Sequence, residues 1–193
     1  YIGTNATGNT SIGASFTAAS LFNSGANNQI GGSAANEGNV LARTIYLFNP
    51  GSGSVIQGNR IGVTADGTGV LSGLTSGIRI DSGNGVSIRD NWIANAGGPG
   101  IWLRSSVNNT VIDGNRIGTD LAGTANWGVT QNGVYLEASN NYTQITNNII
   151  AYSNKGFSSY DGITIISGTG NTILGNSIYG TIPGSSGLGI DLG

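Results

Sequence analysis

Two short patterns recur along the whole chain, and this repetition constrains the fold more strongly than any local propensity. The first is a glycine followed by a hydrophobic residue, any residue and a second hydrophobic residue. It begins at Gly77, Gly100, Gly133, Gly162 and Gly189, with weaker copies at Ile45-Tyr46-Leu47 and Phe16-Thr17-Ala18. The second is Asn-Xaa-Ile with an aliphatic residue three positions earlier, centred on Asn59, Asn91, Asn115, Asn148 and Asn176. Such short alternating runs, bounded by Gly, Asn and Asp, predict two strands with a tight bend in each repeat.

A longer insert separates some of the repeats. Segments 61–68 and 117–124 are copies of one another, and segment 2–9 is a third copy. The larger period is therefore a pair of coils, one plain and one that carries a loop. Asp66 and Asp120 sit in these inserts beside Gly and Thr, which is typical of turns. One carboxylate for each loop is too few for a dedicated calcium site.

Each coil has an apolar face that it cannot bury alone, and stacking the coils buries it. Stacking predicts two interior files of aliphatic side chains about 4.8 Å apart. The first file contains Ile78, Ile101, Val134, Ile163 and Ile190, and the second contains Ile61, Ile93, Ile117, Ile150 and Ile178. The repeated asparagines are expected to form an interior polar file at a bend, with their amides hydrogen-bonded along the stack. We therefore predict that Asn59, Asn91, Asn115, Asn148 and Asn176 are scaffold residues.

Composition supports an all-β domain and excludes several classes of protein. The chain has 35 glycines among 193 residues, which argues against helices, and 37% hydrophobic residues, which argues against a disordered polymer. It has no Cys, Met or His, so a disulfide framework and Cys/His metal sites are excluded. A net charge of −2 with seven basic residues argues against nucleic-acid binding. No apolar run approaches the roughly 20 residues that span a bilayer, so membrane insertion is not expected.

The repeats resemble those of the right-handed parallel β-helices of the pectin-lyase-like superfamily. More narrowly, Asn28-Gln29-Ile30-Gly31-Gly32, the segment 115–120 and the ending 187–193 resemble repeats of very large bacterial surface and secreted proteins. The resemblance implies an all-β fold, a single-stranded right-handed parallel β-helix (β-solenoid) of about six coils, with residues 1–193 as one domain. It also implies an extracellular or cell-surface location, but it does not fix an activity.

Stacking also makes the outward positions predictable. The residue between the paired hydrophobics gives the row Thr17, Tyr46, Arg79, Trp102, Tyr135, Thr164 and Asp191. Two positions further on lie Phe48, Asp81, Arg104, Glu137 and Ile166, and the next strand carries Arg60, Trp92 and Arg116. One interpretation is a glycan-binding strip formed by Tyr46, Arg79, Trp102, Arg104, Tyr135 and Glu137. The alternatives are a surface salt row of Asp81, Arg104 and Glu137, or a face that packs against a loop or another subunit.

An enzymatic interpretation has little support from the residues. Without His, proton transfer would fall to Asp, Glu, Tyr or Arg. Asp81 and Glu137 would lie two coils apart, near the separation of an inverting glycosidase pair, but Arg104 between them would keep both ionised. Asp90 and Asp113 come nearest to a group of Asp residues, and Arg89 lies beside them. We assign no catalytic residue, no metal ligand and no cofactor from the sequence.

These observations favour a non-enzymatic structural module of an extracellular or cell-surface protein. The first alternative is a carbohydrate-binding or adhesive module that uses the Tyr46, Arg79, Trp102 and Tyr135 face, with a polysaccharide as partner. The second is a relative of polysaccharide lyases or glycosidases. The remaining expected partners are neighbouring coils of a parent chain or further copies of this chain, stacked head to tail.

The last expectation can be tested on the native particle. The chain starts and stops within a coil, and uncapped coils present unpaired backbone groups that invite strand addition. Head-to-tail stacking predicts fibres in negative-stain images. A native mass that shows a longer intact chain, or a monodisperse 19.4 kDa monomer in sedimentation, would contradict the fibre.

Overall fold

The computed structural model describes residues 1–13, 25–155, 159–180 and 187–193. The described residues form eighteen short strands, three for each of six coils. The first three coils contain β1 (Gln29–Gly31), β2 (Val40–Leu41), β3 (Ile45–Phe48), β4 (Val55–Gln57), β5 (Arg60–Ile61), β6 (Ile78–Asn84), β7 (Ser87–Arg89), β8 (Trp92–Ile93) and β9 (Ile101–Asn108). The next three contain β10 (Val111–Asp113), β11 (Arg116–Ile117), β12 (Val134–Ser139), β13 (Gln144–Thr146), β14 (Ile149–Ala151), β15 (Ile163–Ser167), β16 (Thr172–Leu174), β17 (Ser177–Tyr179) and β18 (Ile190–Asp191).

The strands stack into three six-stranded parallel sheets, one for each strand position in the coil. Sheet 1 runs from β1 to β16, sheet 2 from β2 to β17 and sheet 3 from β3 to β18. The prediction of a parallel β-solenoid of about six coils is confirmed. The prediction of two strands in each repeat is wrong, because the corner at Asp90 and Asn91 separates β7 from β8. Strand β6 continues to Asn84, with a shift of register between Asp81 and Gly83.

The two predicted aliphatic files line the interior in register. In sheet 3, Ile78 pairs with Ile101, which pairs with Val134, and Val134 pairs with Ile163. In sheet 2, the file from Ile61 to Ile178 is aligned in the same way. These side chains are almost all fully buried, and only the last coil departs, where Ile190 is 43% exposed. Phe16-Thr17-Ala18, the weakest copy of the first pattern, lies outside the described residues.

A two-residue corner joins sheet 1 to sheet 2 in the last five coils. Its first residue has a positive φ, as at Gly58 (69°) and Asp90 (52°), which explains why Gly, Asp or Asn precedes each repeated Asn. The second residue is the repeated Asn, whose side chain points inward and is buried in four of the five coils. The corner thus turns the chain with one left-handed residue and satisfies the freed backbone groups with the next.

The repeated asparagines form a continuous hydrogen-bonded ladder. Asn59 Nδ2 donates to Asn91 Oδ1 at 3.0 Å, and Asn91 Nδ2 donates to Asn115 Oδ1 at 3.0 Å. The same contact continues from Asn115 to Asn148 at 3.0 Å and from Asn148 to Asn176 at 2.9 Å. Each Nδ2 also donates to a main-chain carbonyl of the preceding coil, for example from Asn115 to Ile88 O at 2.9 Å. Both ends of each amide are therefore bonded along the stack.

The three copies of the insert are short hairpins that cover the outside of sheet 2. Antiparallel bridges join Thr4 to Ser11, Val63 to Val70 and Thr119 to Asn126. Two of the hairpins are each held by an arginine of sheet 2. Arg60 donates to Ala65 O, and Arg116 donates to Asp120 O at 2.9 Å. We call the three hairpins, residues 3–12, 62–71 and 118–127, the roof.

The roof corrects one prediction about the surface. Trp92 was expected to face solvent between Arg60 and Arg116, and the predicted register is present. However, the Trp92 side chain is only 8% exposed, because it stacks on Trp127 of the roof with ring centroids 5.7 Å apart. Its Nε1 donates to Thr119 O at 2.7 Å. This row is therefore packing between the coils and the roof.

The ladder generates a prediction for stability. Asn115→Ala should lower the free energy of unfolding by about 2–4 kcal/mol, because it removes the buried hydrogen bonds of the Asn115 side chain to Asn91, Ile88 and Asn148 in the two adjacent coils. Chemical denaturation followed by far-UV circular dichroism measures the loss. Gln144→Ala is the matched control, since Gln144 is exposed on the outside of sheet 1, and it should change stability by less than about 0.5 kcal/mol. Equal effects of the two changes would contradict the role of the ladder.

Candidate functional site

The first outward row of sheet 3 has the predicted register. Tyr46 pairs with Arg79, Arg79 with Trp102, and Trp102 with Tyr135. All four side chains are half-buried. Together with Asp81, Arg104 and Glu137, which follow two positions later in their strands, they form what we call the strip. The strip therefore crosses four consecutive coils on one face.

The side chains of the strip stack on one another along the solenoid axis. The Arg79 guanidinium lies 4.9 Å from the ring centroid of Tyr46 and 4.8 Å from that of Trp102. Trp102 and Tyr135 have centroids 6.3 Å apart and planes inclined by 24°. Arg104 adds a second cation, 5.4 Å from the Trp102 ring. Cation–π and stacking contacts of this kind stabilise by roughly 0.5–1.5 kcal/mol each.

The polar groups of the strip satisfy one another. Asp81 accepts from Arg79 Nε at 2.7 Å, again from the Arg79 terminal nitrogen, and from the Tyr46 hydroxyl at 3.0 Å. Glu137 accepts from Trp102 Nε1 at 3.0 Å and is paired with Arg104 at 3.1 Å. The predicted row of Asp81, Arg104 and Glu137 is therefore wrong in one respect. Asp81 pairs with Arg79 of its own strand, because those two side chains point the same way from alternate positions.

The pKa values reflect this pairing. Burial acts to raise the pKa of Asp81, but the hydrogen bonds from Arg79 and Tyr46 and the charges of Arg79 and Arg104 outweigh it and hold that pKa below 3.8. Burial and the contact with Asp81 raise the pKa of Tyr46 above 10.0. Burial and the charge of Glu137 raise the pKa of Tyr135 in the same direction. At neutral pH the strip thus holds an ionised carboxylate and neutral phenols, and none of these groups is tuned as an acid or base near pH 7.

Thr164 is a further departure from the predicted outward row. It pairs with Tyr135 in register but is only 4% exposed. Its hydroxyl donates to Asp161 at 2.7 Å and accepts from Asn132, both in turns that lead into sheet 3. The aromatic part of the row therefore ends at Tyr135. Asp191, one coil further on, pairs with Thr164 and is half-buried.

A polar cleft that the sequence patterns did not predict lies on another side of the molecule. This cleft of about 660 Å³ is lined by the corner loop 32–36, by Tyr1, by Ala65 of the roof, and by Arg60 and Asp90. In coil 1 the corner between sheets 1 and 2 has eight residues, 32–39, where the later coils have two. The extra length of this corner was the sequence feature that could have indicated the cleft. Arg60 is engaged by the roof and Asp90 accepts from Gln57 Nε2 at 2.9 Å, so both charged groups already have partners.

Comparison with known proteins identifies the family. The family model described as periplasmic copper-binding protein (NosD) matches residues 2–192. The chain belongs to the NosD family. With the three parallel sheets, this confirms the right-handed parallel β-helix, and the family's periplasmic description agrees with a location outside the cytoplasm. No curated protein and no solved structure matches the chain.

The family description implies copper, and the donor groups of this chain do not fit it. Copper in proteins is bound by thiolate, thioether and imidazole groups, and the sequence has no Cys, Met or His. In the part of the chain that the structure describes, no three carboxylates come together as an alternative cluster. The described residues also contain no helix long and apolar enough to cross a membrane.

The ion pair at Asp81 generates a prediction for pH dependence. Because the pKa of Asp81 is lowered on folding, its contribution to stability is present above its unfolded value, about 3.9, and is lost as pH falls through the folded value. Asp81→Asn should cost about 1–3 kcal/mol at pH 7, and the difference from the unmodified chain should shrink as pH falls from about 4 to 2. Denaturation at a series of pH values measures it. A difference that stays constant to pH 2 would contradict the pairing.

Proposed function

We propose that this chain is a non-catalytic scaffold module of a β-helix protein that works outside the cytoplasm. The observation that carries the proposal is that the repeated polar side chains are bonded to each other across coils. The Asn ladder occupies both ends of its amides, and the strip pairs its two carboxylates with its own donors. Side chains used in this way hold neighbouring coils together, as expected of a structural module.

The strip supports a structural role better than a glycan-binding role. A sugar binds an aromatic side chain by covering the flat face of its ring. Here Trp102 has Arg79 over its ring on the side of coil 2 and Tyr135 stacked on the side of coil 4. Its indole Nε1 is also committed to Glu137. A polysaccharide along this face would meet ring edges and paired charges.

Catalysis has even less support at the same site. An acid–base pair needs one carboxyl group that is protonated near neutral pH, and the groups around Asp81 lower its pKa instead. Glu137 accepts a hydrogen bond from Trp102 Nε1 and is paired with Arg104, so its carboxylate is used within the strip. Both carboxylates of the strip therefore bind neighbouring side chains of the strip.

Binding and stability measurements on the same variants separate the proposed role from the alternatives. Trp102→Ala should lower the free energy of unfolding by about 1–3 kcal/mol, because it removes the centre of the stack. The unmodified chain should give no signal on a glycan array and no products in reducing-sugar or unsaturated-uronate assays.

Tyr142→Ala is the control for this experiment, because Tyr142 is an exposed aromatic residue outside the strip. It should have a smaller effect on stability than Trp102→Ala. Glycan binding that Trp102→Ala abolishes and Tyr142→Ala preserves would replace the scaffold role with the adhesive one. Turnover that Glu137→Gln abolishes would replace it with the enzymatic one.

A further inference from the structure

We infer that these 193 residues form a copper-independent member of the NosD family, in which the β-helix neither supplies copper ligands nor needs the metal to fold. The family match covers residues 2–192, so the inference concerns the same stretch that carries the family's description. The inference is independent of the scaffold role. A scaffold can bind a metal, and a protein that binds no metal can have a function other than that of a scaffold.

The chain lacks the donor groups that copper prefers. Cu(I) prefers thiolate and thioether sulfur, and Cu(II) prefers imidazole nitrogen with tetragonal geometry. The full sequence contains neither type of sulfur ligand and no imidazole. The remaining ionised oxygen donors are nine Asp and Glu residues, a class of ligand that suits Mg²⁺, Ca²⁺ and Mn²⁺ better than copper.

The carboxylates of the described residues are not arranged as a metal site. In residues 1–13, 25–155, 159–180 and 187–193, no three of them approach each other closely enough to share an ion. Asp81 and Glu137 are held within the strip, and Asp113 accepts from Thr146 Oγ1 at 2.6 Å and Asn147 Nδ2 at 2.9 Å. Asp66 and Asp120 bind the backbone of their own hairpins. These carboxylates serve turns and ion pairs.

The aliphatic core and the Asn ladder account for the folding of the chain without a metal. In a small metal-dependent domain, the ion supplies the folding free energy that a core cannot. Here the interior is a continuous aliphatic cluster that runs through all six coils, and the polar corner is closed by the Asn ladder. The amide groups that line the corner already donate and accept along the stack.

The same register shows where copper ligands could be introduced. Gln144 and Thr172 are paired on neighbouring coils of sheet 1, and both are exposed. Paired positions on adjacent strands lie about 4.8 Å apart, so imidazoles placed there can share one ion. The double variant Gln144→His with Thr172→His therefore makes a matched control on an unchanged scaffold.

Competition for copper tests the inference. Cu(I) held by a chromophoric chelator under anaerobic, reducing conditions should stay with the chelator when the chain is added, and Cu(II) titrated by calorimetry should give only weak binding. The double His variant should bind Cu(II) at least about tenfold more tightly than the unmodified chain, because it adds two imidazole ligands. One equivalent of copper withdrawn from the chelator by the unmodified chain, or Cu(II) affinity equal to that of the variant, would overturn the inference.

A thermal measurement tests the folding part independently. The melting temperature of the chain, purified without added metal, should be the same with and without a strong chelator and with and without one equivalent of copper. A rise in melting temperature on addition of copper, or a fall on chelation, would show that the folded state binds the metal. Either result would overturn copper independence even if the competition assay showed no transfer of copper to the chain.

Discussion

In-register parallel stacking is the constraint on which the rest of this structure depends. Each side chain of a coil has the same position above and below it, about 4.8 Å away, so the chemistry of one residue is repeated into a column. Aliphatic residues give dry files, amides give a hydrogen-bonded ladder, and aromatic and cationic residues give a stack. Residues such as Asn91 and Asn115, which are 24 positions apart in sequence, become direct neighbours.

The same stacking explains why so few side chains are left for chemistry. A polar residue in a column meets a copy of itself or a complementary group, and bonding to that neighbour satisfies it. The NosD family model covers this chain, yet the soft and imidazole donors of copper are missing from it. On the inference of copper independence, the β-helix of this chain is a framework whose stability does not depend on metal chemistry, in line with the general separation of fold from function.

Much of the fold and part of the candidate site could be predicted because the register follows from the repeats. The order Tyr46, Arg79, Trp102 and Tyr135 needed only the assumption that equivalent positions stack. The predictions about individual side chains that failed concern what covers a position or which neighbour it pairs with. Nothing in the local pattern around Trp92 shows that a hairpin lies over it, and nothing around Asp81 shows which of two arginines it pairs with.

The sequence by itself determined the parallel coils, the interior files and the amide ladder, since a period of two along each strand and a fixed repeat leave one way to bury the apolar face. Only the tertiary structure decided the third strand of each coil, the roof over sheet 2 and the burial of Thr164. The third strand results from the corner at the repeated Asn, whereas the roof and the burial of Thr164 depend on long-range packing of loops. Loop packing is set by contacts between segments far apart in the chain, and no periodic pattern records them.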